Sequence, residues 1–258
     1  MKNLTATICF AVALLLGSAG VSWSQDFGKG LAAYRSGDYA TALREWKPLA
    51  ERGHTIAQYS LGDMYSNGQG VPQDYKTAMK WWTLAAEQGL DWAQHNLGLM
   101  YDIGRGVPQD DKTAVKWYSL AAEQGYAAAQ YNLGLMYATG QGVPEDDKTA
   151  VKWYRLAAEQ GNAYAQTNLG LMYDNGQGVP KDDKTAVKWL KLAAEQGNDD
   201  AQSRLKKIKA RLVSKGIDEC LYKEVAKITG PESKKIVEKY CRKKLEKKSL
   251  DWLLRYAD

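Results

Sequence analysis

Residues 89–124 read GLDWAQHNLGLMYDIGRGVPQDDKTAVKWYSLAAEQ, and this stretch decides the fold. The same 36-residue unit begins at Gly53, Gly89, Gly125 and Gly161, nearly unchanged, and Gly197 opens a fifth copy that soon decays. Self-similarity at a fixed period of this length marks a stacked-repeat architecture, in which each unit contacts mainly its neighbours. Such stacks offer a long surface for binding. The pattern therefore points to a scaffold or adaptor before it points to an enzyme.

Within residues 53–88, Ala57, Leu61, Met64 and Tyr65 fall at helical spacing, as do Ala78, Trp81, Trp82 and Ala85. Each set is one apolar helical stripe. Two glycines and a proline in Ser66-Asn67-Gly68-Gln69-Gly70-Val71-Pro72-Gln73 end the first helix and shape a tight loop. Asp74 then stands where a carboxylate caps the second helix, and Asp110, Asp146 and Asp182 repeat it. Gly89 supplies the stop after Glu87-Gln88. Gly62, Gly98, Gly134 and Gly170 sit inside the first helices, where glycine costs ~1 kcal/mol against alanine. Close approach of a large aromatic explains that repeated cost, with Trp81, Trp117, Trp153 and Trp189 as the candidates. The alternative use of these tryptophans, a ligand cage, is disfavoured by their strict repetition on an apolar face.

The recurring A-Q-x-x-L-G-x-M-Y, G-x-G-V-P-x-D, K-T-A-x-K-W and L-A-A-E-Q-G over residues 53–202 resemble the Sel-1-like repeat family, a cousin of tetratricopeptide repeats. Residues 25–52 look like a shorter tetratricopeptide-like helix pair that caps the array, with Ser36-Gly37-Asp38 in place of the long loop. The resemblance implies an all-α, right-handed superhelical solenoid of antiparallel helix pairs that acts through protein–protein contacts. It implies no general catalytic motif. Secreted cysteine-rich relatives, some described as β-lactamases, carry a cysteine pair in each repeat. No repeat here holds a cysteine, so that role is not carried over.

The ends of the chain speak to location. Lys2, the apolar run Thr5–Leu16 and Ser22-Trp23-Ser24 form a signal-peptide pattern over residues 1–24, with cleavage before Gln25. The apolar run falls short of the ~20 residues that span a bilayer, so a retained anchor is the weaker reading. Export to the periplasm, or beyond the cell, is the expectation, and an integral membrane protein is not. Cys9 leaves with the signal, and its place inside the apolar run argues against a lipid-modified first residue.

Cys220 and Cys241 remain, an even count for an oxidising compartment. Helical patterns run from Cys220 and up to Cys241, broken by Thr229-Gly230-Pro231. A C-terminal disulfide-linked helical hairpin folded there closes a loop worth ~3 kcal/mol; two unpaired buried thiols are the alternative. Residues 203–258 carry 17 Lys+Arg against 8 Asp+Glu, a net of +9. Taking that and Lys2 from the total of +5 leaves residues 25–202 at −5. The basic C-terminal helical region offers a second possibility, docking on an anionic envelope surface, against the bland reading of solvated helix faces. With export expected, nucleic acid is not an expected partner. Whether this region seals the last repeat or forms a separate module is open; Ile208, Leu212, Leu221, Ile228 and Ile236 offer the apolar face of a seal.

Comparing the units with one another shows which positions the repeat leaves free. They are Ile56, Tyr59 and Asp63; Trp92, His95 and Leu99; Ala128, Tyr131 and Leu135; and Tyr164, Thr167 and Leu171. Their spacing makes one helical face, which the resemblance puts on the concave side. Asn96, Asn132 and Asn168 flank it as a polar ladder suited to an extended peptide. The leucines fit packing better than binding. Ile56, Tyr59, Asp63, Trp92, His95, Asn96, Tyr131, Asn132, Tyr164, Thr167 and Asn168 are therefore the candidate protein-binding residues.

The mature chain has two histidines, His54 and His95. It has no G-x-S-x-G elbow, no H-E-x-x-H, no phosphate-binding glycine loop and no zinc-type cysteine spacing. No catalytic residue, metal or cofactor is expected. The sequence thus favours a non-enzymatic exported scaffold for a protein or peptide. The alternatives are an envelope-associated factor docking through its basic tail, and a hydrolase of cell-wall or β-lactam type.

Overall fold

The computed structural model describes residues 27–225, 235, 239 and 241–243. The signal-peptide pattern and the 226–234 turn of the expected hairpin lie outside them, as do the side chains of Cys220, Leu221, Ile228 and Ile236. Among the described residues the structure is all helical, without strands. Helix α1 covers residues 27–35. It is followed by α2 (Tyr39–Glu51), α3 (Thr55–Asn67), α4 (Tyr75–Glu87), α5 (Asp91–Ile103), α6 (Asp111–Glu123), α7 (Ala127–Thr139), α8 (Asp147–Glu159), α9 (Ala163–Asn175), α10 (Asp183–Glu195) and α11 (Asp199–Val225). Two compact units divide the chain, the first running to Ala129 with Gln141–Val143, the second holding Gln130–Gly140 and the residues from Pro144 on.

The repeat's punctuation has a local cause at each point. Asp74 accepts from the backbone N–H of Lys76 and Thr77, and its other oxygen takes the Thr77 hydroxyl at 2.6 Å. Asp110, Asp146 and Asp182 make the same 2.6 Å bond to Thr113, Thr149 and Thr185. This satisfies N–H groups that the first turn leaves without partners. The first helices stop because Gly68, Gly104 and Gly176 turn into the left-handed region, with φ of 68°, 65° and 75°.

In the first unit, α3 and α4 run antiparallel: the Asp74 N–H bonds the Tyr65 carbonyl beside the loop, while Gln88 at the far end reaches Gln58. The core forms where the second helix of one repeat meets the first helix of the next. Ala78, Trp82 and Ala85 of α4 close on Ala93, Leu97 and Met100 of α5. Trp46 and Leu49 of α2 close on Ala57, Leu61 and Met64 of α3 in the same way. The second unit repeats the scheme, with Val151 and Tyr154 of α8 against Leu169 and Met172 of α9. Val187 and Leu190 of α10 pack against Ala201 and Ile208 of α11, with Leu212 at the edge.

Two expectations need correction. The aromatic facing each helical glycine is the residue after the expected tryptophan: Gly62 meets Trp82, Gly98 meets Tyr118 and Gly134 meets Tyr154, while Gly170 meets Leu190. A Cβ on Gly98 would stand 2.6 Å from the Tyr118 ring. Trp81, Trp117 and Trp189 are instead half-buried and pack sideways on the core formed just before them. One step along a helix rotates a side chain by about 100°, so neighbouring aromatics serve two different contacts. The second correction concerns Cys220, which lies inside α11 rather than beginning a helix. No proline interrupts residues 199–225, and Gly216 alone, at a cost of ~1 kcal/mol, does not stop a helix. Cys241 is buried.

Candidate functional site

Each first helix turns Ala, Leu and Met inward, as in Ala57, Leu61 and Met64 of α3, and leaves a second stripe toward solvent. The candidate residues occupy that stripe, to unequal depths.

In the first unit the Tyr59 and Trp92 rings lie 5.8 Å apart, and Trp92 stays 44% exposed. The Tyr59 hydroxyl donates to the Asp63 carboxylate and accepts from the Asn96 amide. Burial, above all, raises the Tyr59 pKa. Asp63 also accepts from the Trp82 indole N–H at 3.1 Å. Burial pushes its carboxyl up to about 6, and the two hydrogen bonds hold it back only in part. Asp63 is therefore spent on internal bonds. His95 is half-buried beside Tyr118 and edge-on to Tyr126, at 5.7 and 5.2 Å, and donates to Asn96; burial lowers its pKa. Ile56 is half-buried.

In the second unit the Tyr131 ring lies 6.0 Å from Tyr154 and 5.9 Å from Tyr164. Asn168 donates toward the hydroxyls of Tyr131 and Tyr154. Two of the flanking asparagines, Asn96 and Asn168, thus hold tyrosines in place, and part of their hydrogen-bonding capacity remains. Asn132 is half-buried. Tyr164 is 65% exposed. Thr167 is 4% exposed and turns its hydroxyl to the Ala163 carbonyl at 2.9 Å, so it forms floor rather than wall. Beside Tyr164 opens a cleft of about 390 Å³, lined by Thr167, Asn168, Asn198, Asp199 and Asp200. Asn198 caps α11, accepting from Ala201 N–H at 2.9 Å.

Sequence reasoning missed a buried amide ladder. Gln58 and Gln94 donate to the carbonyls of Ala50 and Ala86, and accept from Gln88 and Gln124 at 2.6 and 2.7 Å. In the second unit Gln166 donates to Ala158, and Gln160 and Gln196 donate to Gln130 and Gln166. The bonds to Ala50, Ala86 and Ala158 tie a repeat to the one before it, and Gln88–Gln58, Gln124–Gln94 and Gln160–Gln130 tie the two helices within a repeat. A strictly repeated glutamine on an apolar face was the available signal. Leu99 packs at the edge of the core, as the packing reading expects.

Among the described residues no group of three or more His, Cys, Asp or Glu could hold a metal ion, and no helix is long and apolar enough to cross a membrane. Within each unit the stripe offers aromatic faces, amides and carboxylates on the first helices.

The profile of the Sel1 repeat matches residues 55–90, 93–126, 127–162 and 163–198. Among solved structures, the chain is similar to a protective antigen present in uropathogenic Escherichia coli strains, which displays an SLR fold. The two are 39% identical with a TM-score of 0.70, over 76% of this chain and 43% of that one. This chain thus spans less than half of the antigen's length. It is also similar to a Sel1 repeat protein from Oxalobacter formigenes, 37% identical with a TM-score of 0.68, over 72% of this chain and 74% of that one. Helicobacter pylori cysteine rich protein B is 25% identical with a TM-score of 0.42, over 52% of this chain and 96% of that one. No curated protein matches the chain.

Proposed function

This chain belongs to the Sel1 repeat family, whose members are protein-interaction scaffolds, and from that premise we propose that it is an exported, non-enzymatic adaptor. It holds a protein or peptide on its first-helix face, the side that the family resemblance makes concave. The observation that carries this reading is the exposure of two large aromatics, Trp92 and Tyr164, at the same position of two repeats. Each is backed by a second aromatic, Tyr59 or Tyr131. Exposed rings already held in place lose little conformational freedom on binding, which suits them to anchor an interface.

Residues 1–24 direct export, residues 53–202 are the binding array, and a Cys220–Cys241 disulfide ties the basic C-terminal region. That region, at +9 over residues 203–258, gives a second reading: docking on an anionic envelope surface.

Affinity capture from an envelope extract separates the two, with residues 25–258 as bait and the Trp92→Ala/Tyr131→Ala variant as control. A specific protein kept at moderate salt by the wild type and lost by the variant supports the first-helix face. Material that salt removes equally from both baits supports the basic region, because surface attraction is screened within ~8 Å at physiological ionic strength.

A further inference from the structure

We propose that the first-helix face is built for a cationic peptide segment, and that the cleft beside Tyr164 receives one of its lysine or arginine side chains. This rests on the adaptor reading above and names the chemistry of the partner.

The first argument is a partition of charge between the two ranks of helices. Helices α3, α5, α7 and α9 contain no lysine or arginine, in a chain that has 35. Their charged residues are Asp63, Asp91, Asp102 and Asp174. The cations of the repeats lie on the second helices and loops: Lys76 and Lys80 on α4, Lys112 and Lys116 on α6, and similarly on α8 and α10. Some first-helix carboxylates are committed internally. Asp63 serves Trp82, Asp102 accepts from Tyr118, and Asp174 pairs with Arg211. These four helices thus offer no cation to an anionic ligand; the first described cations of this rank come in α11, from Arg204 on.

The second argument is the cleft. Its wall is the exposed Tyr164 ring, a face for a cation–π contact. Asp199 and Asp200, in the first turn of α11, and Asn168 line the same cleft. Among the described residues no cation pairs with Asp199. Asp200 lies 3.4 Å from Arg204, a solvent-exposed pair that a ligand cation can displace at little cost. A volume of about 390 Å³ sits at the small end of ligand clefts, suited to a side chain rather than a large cofactor. An acidic segment would meet two carboxylates offset by Arg204 alone, which is already paired with Asp200. A cationic one gains on encounter rate as well as on contact.

The test uses fluorescence anisotropy of the full chain at low ionic strength. The probes are labelled octapeptides alternating alanine with lysine, with serine or with glutamate. The lysine peptide is expected to bind more tightly than the serine peptide and the glutamate peptide not at all, a preference that added salt narrows while the aromatic contact keeps part of the binding. Asp199→Asn/Asp200→Asn should weaken the lysine peptide roughly tenfold, the range two partly exposed ion pairs can supply. Tyr164→Ala should weaken it several-fold, with helicity and Tm of both variants kept.

Equal binding of all three peptides, or a carboxamide variant that binds like wild type, overturns the proposal. Charge-indifferent binding that Trp92→Ala/Tyr131→Ala removes leaves the adaptor reading standing and sinks only this one. Binding of no peptide also counts against it. Self-association in sedimentation that the lysine peptide dissolves would make a second copy's basic region the occupant, and would overturn a separate partner.

Discussion

The Trp82 indole donates to the Asp63 carboxylate at 3.1 Å, and that acceptor occurs only where the indole does. In the following repeats Trp82 is replaced by Tyr118, Tyr154 and Leu190, and Asp63 by Leu99, Leu135 and Leu171. A buried indole N–H needs a partner, and here an otherwise apolar position supplies one. The tyrosine replacements find their own: Tyr118 donates to Asp102 at 3.1 Å, and the Tyr154 hydroxyl meets Asn168.

The cost is a carboxyl raised from 3.8 to about 6 by burial. A folded pKa above the unfolded one means that the folded state binds more protons between the two values. This contribution is therefore fully present below pH 3.8 and is lost as pH rises through about 6, by up to about 3 kcal/mol. Asp63→Asn removes the titration. Urea unfolding at pH 4.5 and 7.5 should show the variant gaining on the wild type at the higher pH. Parallel profiles would contradict the assignment.

Gly98→Ala should destabilise the protein although alanine is the better helix former. The propensity gain is ~1 kcal/mol, while overpacking against Tyr118 costs about 1–3 kcal/mol. In a Tyr118→Ala background the penalty should vanish or reverse. A thermal double-mutant cycle measures this, and additivity would show that the ring does not constrain the glycine.

Gln94→Leu should cost about 1–3 kcal/mol, because it removes two hydrogen bonds of about 0.5–1.5 kcal/mol each, although the Ala86 carbonyl keeps the Gly89 N–H and the Gln124 amide keeps the Leu120 carbonyl. Adding Gln124→Leu should cost less than that change does alone. Chemical denaturation of the four proteins reads the coupling.

Asp110→Ala should lower Tm at neutral pH. The Thr113 side-chain and backbone bonds hold the Asp110 carboxyl below its ordinary range. A depressed folded pKa gives stability that is present above the unfolded value and lost as pH falls through the folded one. The difference between variant and wild type should therefore narrow in acid, as melts at pH 3 and pH 7 would show. An equal gap at the two pH values would mean that the cap is not acting through its carboxylate.

Trp92→Ala and Tyr164→Ala should leave Tm nearly unchanged, since 44% and 65% of these side chains face solvent. Tyr118→Ala, fully buried, should cost about 3–5 kcal/mol. Calorimetry of the three variants distinguishes surface rings from core ones.

The sequence by itself determined the repeat period, the helix caps, the loop glycines and the stripe of variable residues. All of these act over a few residues of chain, where spacing and side-chain type decide the outcome. It also located the close approach at Gly62, Gly98 and Gly134. Only the tertiary structure decided which aromatic fills that approach, because neighbouring residues on one helix differ by about 100° in direction. The bonds Gln88–Gln58 and Gln124–Gln94 join residues thirty apart, and no local pattern specifies their partners. The cleft at Tyr164 likewise needs the first turn of α11 folded back onto α9, which brings Asp199 and Asp200 to a tyrosine some thirty-five residues earlier. Contacts made by stacking one repeat on another belong to the assembled fold, since the free energy that selects them comes from burial shared between helices.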